Sequence, residues 1–174
     1  MISEIDTEVA CLNREINRII SQKKKNLDHH ADCIIPGVWA GGITAACDLS
    51  FLRNQGIDVI INLSSYQLPE HPGISMISCP LNEHVDYPDL LNQIKSAAKV
   101  VRQSGNHEQT VLICCKKGKK CCSSVIIYYL IRYFNMDLIS ATELVKVMRP
   151  SCISYHNKLL ETLVYYQCAR KLGK

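Results

Sequence analysis

Between Val111 and Phe134 the chain passes from a short apolar segment, Val111-Leu112-Ile113, through Cys114-Cys115-Lys116-Lys117-Gly118-Lys119-Lys120-Cys121-Cys122 into a second apolar stretch. The first segment fits a buried strand, and the stretch from about Ser123 to Phe134 has helix length. A strand, a glycine-containing loop and a helix make an anion site. The loop N–H groups converge, and the helix N-terminus adds partial positive charge. A cysteine at the strand end, facing those amides, has a lowered pKa and becomes a thiolate nucleophile. Cys115 stands at that point, Gly118 lets the loop turn, and Lys116, Lys117, Lys119 and Lys120 would draw a phosphate from every side.

The rest of the chain alternates helical and strand patterns. Ile2, Ile5, Val9, Leu12, Ile16 and Ile19 form a seam at spacings of three and four, so an amphipathic helix is expected over 2–20. Two uses of that seam are open: packing on its own domain, or a contact in a homodimer. Lys23-Lys24-Lys25 with Asn26 and Asp28 reads as a polar linker, and no role is assigned to His29 or His30. Ile34 to Trp39 suggests a strand broken by Pro36-Gly37, and Gly41-Gly42 marks a turn. Leu49 to Leu52 suggests a helix closed by Gly56. Ile57 to Leu63 and Ile74 to Leu81 read as strands, and Tyr87-Pro88-Asp89 opens a long helix that Gly105 closes. Ser140 with Glu143 is a capping-box signal for a helix ending near Met148, and a last helix is expected over Tyr155 to Arg170. Strands alternating with helices predict a mainly parallel sheet of four to five strands flanked by helices.

Composition bounds the function classes. At 174 residues, with 47% apolar and 21% charged, the chain suits one soluble globular domain. Its net charge of +4 does not by itself argue for nucleic acid. No run reaches the roughly 18 apolar residues of a membrane span. Glu4, Asp6 and Glu8 stand where a secretory signal would be basic and then apolar, so an intracellular location, cytoplasmic or nuclear, is expected. Six of the ten cysteines (Cys11, Cys33, Cys47, Cys79, Cys152 and Cys168) read as reduced, small buried hydrophobes. The sequon at Asn62 falls in an expected buried strand and is discounted.

The central loop resembles the signature of dual-specificity phosphatases in the protein tyrosine phosphatase superfamily, His-Cys-x-x-Gly-x-x-Arg. Cys115 matches the nucleophile and Gly118 the glycine. The resemblance extends from about Cys33 to Gln167. "IIPGVWAGG", "LRNQGIDVIINLS", "CPLNEHVDYPDLL" and "ATELVKVMRPSCIS" are similar to successive family blocks, and their order and spacing argue against chance. It implies a dual-specificity phosphatase-like domain over 31–174, behind the N-terminal helix and linker that the apolar seam and the lysine run place over residues 1–30. It also implies that Glu83 takes the general-acid position, with Asp86 as the weaker candidate. Lys116, Lys117, Gly118, Lys119, Lys120 and Cys121 would bind phosphate.

The departures from the family decide the expected function. Cys121 stands where the family has its arginine, Cys114 where it has histidine, and Cys122 where it has serine or threonine. The arginine's planar fork grips two phosphoryl oxygens, which neither cysteine nor lysine reproduces. A thiol is also a weaker donor than a hydroxyl. The expectation is therefore a pseudophosphatase that captures phosphorylated protein and turns it over weakly or not at all. A slow but active tyrosine phosphatase is the runner-up. Other classes weighed are a zinc site on the two cysteine pairs, a redox pair of Cys115 with Cys114 or Cys121, and binding of phosphoinositide or RNA phosphates. No aromatic platform interleaves the lysines, which disfavours RNA. Adjacent strand cysteines point to opposite faces, which disfavours zinc. No cofactor or metal is expected.

Overall fold

The structure, a computed structural model, describes residues 3–21, 30–154 and 157–173. Five strands form one sheet: β1 (Ala31–Ile35), β2 (Val38–Gly42), β3 (Val59–Asn62), β4 (Ser75–Ser78) and β5 (Val111–Cys115). Their order is β1-β2-β5-β3-β4, and every pair except β1–β2 is parallel. The broken strand expected around Pro36-Gly37 is in fact an antiparallel hairpin. Gly37, at φ +81°, turns the chain back, so Ile35 faces Val38. Gly41-Gly42 is not a turn either. These two residues end β2 and pair with Cys114 and Cys115 of β5.

Seven helices accompany the sheet among the described residues; those between β2 and β3 and between β4 and β5 supply crossovers for parallel strands, whereas β3 runs to β4 without a helix. They are α1 (Glu4–Ser21), α2 (Ile43–Cys47), α3 (Leu49–Asn54), α4 (Asp89–Asn106), α5 (Lys120–Tyr133), α6 (Leu138–Met148) and α7 (Lys158–Lys171). β5 shows how the sheet divides the core. Its residues alternate, so Val111, Ile113 and Cys115 enter a large core with α4, α5 and α7, while Leu112 and Cys114 enter a smaller one with α2 and α3. The central helix α5 is buried from Cys122 to Ile131, which accounts for its apolar run.

The α1 seam is used within the chain. Leu12, Ile16 and Ile19 are buried, and the helix packs on α6 and α7. Arg18 reaches Glu143, and Lys171 pairs with Glu8. Ile2, Lys23, Lys24, Lys25, Asn26, Asp28 and His29 lie outside the described residues.

Helix starts differ from expectation at three places. α5 begins at Lys120, ahead of Ser123, with no side-chain cap on its first turn. α6 is capped by Asp137, whose carboxylate accepts from the N–H and hydroxyl of Ser140 at 2.9 and 2.7 Å, so Ser140 is inside the first turn. α7 starts at Lys158 behind an Asn157 cap, and Tyr155 lies outside the described residues. Cys11 and Cys47, expected to be buried, are exposed. Asn62 is buried, as expected, with its amide bonded to Tyr66 and Ser64. Among the described residues no helix is long and apolar enough to cross a membrane.

Candidate active site

The site forms where β5 stops and α5 starts. Gly118 fixes the loop between them. At φ +63° it adopts a conformation that favours glycine, and its N–H donates to the Cys115 carbonyl at 3.2 Å. It also leans on the end of β2. A Cβ at this position would lie 2.2 Å from the Gly41 carbonyl carbon and 2.4 Å from the Gly42 nitrogen. The loop thus packs directly on the Gly41-Gly42 backbone.

The loop is held from behind by Arg149, at the end of α6. Its Nε donates to the Gly118 carbonyl at 2.6 Å, and its guanidinium also pairs with Asp32 on β1. Arg149 is 4% exposed. It is a structural tie across three segments that are distant in sequence.

In front of the loop lies an open cleft of about 440 Å³. Cys115, Cys121, Glu83, Lys116, Lys117, Lys119 and Lys120 all line it, together with Ser151, Cys152 and Ser154. Gly118 lies beneath, tied as described. Lys116 and Lys117 are exposed, whereas Lys119 and Lys120 are half-buried. The Lys116 ammonium stands over the Tyr66 ring, 5.7 Å from its centroid. Asp86 is elsewhere. Its side chain is 94% exposed and pairs with Lys158 at 3.1 Å.

Four thiols surround the strand end in distinct environments. Cys115 is held well below the ordinary thiol range, because the thiols of Cys121 and Cys122 and the N–H groups of Cys122 and Lys119 donate to it. Those donors outweigh its burial. Cys122 Sγ lies 3.3 Å from Cys115 Sγ, and burial keeps Cys122 protonated. Cys121 Sγ lies 3.6 Å from Glu83 Oε1. Its single proton has two acceptors, the Cys115 sulfur and the Glu83 carboxylate. The bond to Cys115, burial and the two negative neighbours push its pKa up. Cys114 faces the opposite side of the sheet near Asn62, and burial pushes it up to about 12. Cys114 and Cys115 therefore do not face one common ion.

Sequence reasoning missed the Arg149–Asp32 tie and the wall formed by Ser151 and Ser154. Arg149-Pro150 signalled a helix end, and only the three-dimensional packing brings that end to the loop.

The fold has counterparts. The family model for the dual specificity phosphatase catalytic domain matches residues 38–169. Human DUSP28 shares 21% identity at a TM-score of 0.70, covering 82% of this chain and 96% of that one. A mouse protein described as a dual specificity phosphatase, solved with zinc tungstate, shares 20% at 0.71, covering 88% and 96%. OH1 from the Orf virus, a tyrosine phosphatase, shares 12% at 0.68, covering 91% and 99%. At these identities the structural likeness concerns the fold. A comparison with curated proteins found no match. The family match spans more than half of the sequence, from β2 to near the end of α7, and takes in the whole Cys115 loop: this chain belongs to the dual specificity phosphatase catalytic-domain family of the protein tyrosine phosphatase superfamily.

Proposed function

We propose that the protein binds phosphorylated protein through the Cys115–Cys121 loop and hydrolyses it poorly or not at all. The observation that carries this reading is the occupant of the family's arginine position. Cys121 is there, its sulfur turned to Glu83, and among the described residues no guanidinium lines the cleft. Arg149 sits behind the loop, engaged with Gly118 and Asp32.

Binding needs what remains. The loop amides, the first turn of α5 and four lysines favour a dianion. Lysine is a point charge that attracts phosphate without holding two oxygens in a plane. The mouse neighbour was solved with tungstate, a tetrahedral oxyanion of the kind this loop would hold.

Turnover needs what is missing. Cys115 would attack phosphorus, and Glu83 would protonate the leaving oxygen. Charge building on the equatorial oxygens would meet no bidentate partner, a loss of roughly 10³–10⁵ in rate by analogy with other phosphoryl transfers. Cys122 replaces the hydroxyl that would help the Cys115 sulfur leave in the second step, and it is a weaker donor. The second reading, a slow but active phosphatase, draws on the lowered Cys115 pKa and on Glu83 in the cleft wall.

Hydrolysis of a small aryl phosphate under reducing conditions separates the two. The wild type and Cys115→Ser are expected to be equally inactive. Clear wild-type activity that disappears in Cys115→Ser would make this an enzyme despite Cys121.

A further inference from the structure

On the reading that the cleft holds phosphate, we propose that the Ser154 hydroxyl is a further group that binds it, donating to a phosphoryl oxygen. Ser154 lines the cleft with Cys115 and the lysines, and its Oγ is buried without a hydrogen-bond partner among the described residues. A buried hydroxyl left unpaired loses its bonds to water and gains none in return. One other buried side-chain atom among the described residues shares this state, Gln167 Oε1, and it is an acceptor outside the cleft lining. An oxyanion could satisfy the serine and not the glutamine oxygen.

The segment that carries Ser154 is built into the same frame as the loop. Arg149 opens it, bonded to the Gly118 carbonyl and paired with Asp32. The Cys152 N–H donates to the Arg149 carbonyl at 3.1 Å, and the Cys152 carbonyl accepts from the Ser123 hydroxyl of α5 at 3.3 Å. Cys152 and Ile153 are buried, so Ser154 follows two anchored residues. A group held this way is in place before the ligand arrives and loses little freedom on binding. What the hydroxyl lacks is an acceptor. The lysines bring only donors, and the Glu83 carboxylate is engaged by the Cys121 thiol. A phosphoryl oxygen supplies the acceptor, and the hydroxyl supplies a donor that does not depend on the arginine replaced by Cys121. Ser154 also borders a small cavity of about 50 Å³ between α1 and the start of α7, with Asn13, Asn17, Asn157 and Glu161. Those side chains include acceptors, yet none of them bonds the Ser154 hydroxyl.

The test measures binding of tungstate and of inorganic phosphate to the reduced full chain, wild type against Ser154→Ala, together with the thermal midpoint of each ligand-free protein. Affinity for both oxyanions is expected to fall about tenfold, the worth of a hydrogen bond to a charged group. The ligand-free midpoint should stay level or rise, because the variant no longer buries an unpaired hydroxyl. A hydroxyl that served only the packing of α1 on α7 would do the reverse, lowering the midpoint and leaving affinity alone. Unchanged affinity in Ser154→Ala, or a lower ligand-free midpoint, would overturn the proposal. A wild type that binds neither oxyanion would overturn the phosphate-binding reading itself, and the role of Ser154 with it.

Discussion

Arg149 donates its Nε to the carbonyl of Gly118 at 2.6 Å while its guanidinium pairs with Asp32, so a residue outside the loop sets the loop's position. Replacing Arg149 with Ala leaves the Gly118 carbonyl and Asp32 without this partner. Breaking a buried charge pair costs about 3 kcal/mol. The denaturation midpoint of Arg149→Ala should fall accordingly, and its affinity for a test oxyanion such as tungstate should fall with it. Arg149→Lys keeps the charge but lacks the planar fork, so it should rescue only part of either loss. Wild-type stability in Arg149→Ala would show that the tie carries little.

Two glycines at positive φ give a sharper comparison. Gly37 and Gly118 both have positive φ, but only Gly118 faces backbone at 2.2 Å. Gly37→Ala should cost about 1–2 kcal/mol, the ordinary penalty of a left-handed conformation. Gly118→Ala must also displace the end of β2, so its loss should be clearly larger and should abolish tungstate binding. Equal stability losses in the two variants would mean that the loop relaxes freely.

The parts of this fold that were legible in the sequence are those written in local pattern. The alternating strands and helices, the buried α5 and the loop between β5 and α5 all followed from apolar period and glycine. The β1–β2 hairpin was not, because Pro36-Gly37 marks a break without saying whether the chain continues or reverses. Nor was the place of Gly41-Gly42, since a double glycine signals a turn while here it ends β2, paired with β5 and with its backbone against Gly118. Asp32 and Arg149 are 117 positions apart, and no local pattern links them. The loop conformation, which sequence does not specify, brings the thiols of both Cys121 and Cys122, and not that of Cys114, to Cys115.

The lowered pKa of Cys115 has a sign that can be checked. A thiol whose folded pKa is depressed stays reactive as pH falls, and its contribution to stability, present above the ordinary thiol pKa, is lost only as pH falls toward the folded value. Alkylation of Cys115 at pH 6, followed by mass spectrometry, should be at least about tenfold faster than that of N-acetylcysteine. A rate that rises only above pH 8 would show an ordinary thiol.

Restoring the missing fork should recover chemistry. In Cys121→Arg the guanidinium enters a cleft that already holds Cys115 and Glu83. Aryl phosphate hydrolysis should rise by roughly 10³-fold over wild type, in line with the worth of an arginine in phosphoryl transfer. No change would place the defect in the loop geometry itself.

The most direct test of the central claim is titration of a phosphotyrosine peptide into the reduced wild-type protein, with the peptide recovered and weighed afterwards. The account expects saturable one-to-one binding, competed by tungstate, and a peptide that returns with its phosphate in place. A dephosphorylated peptide, or no binding at all, would contradict it.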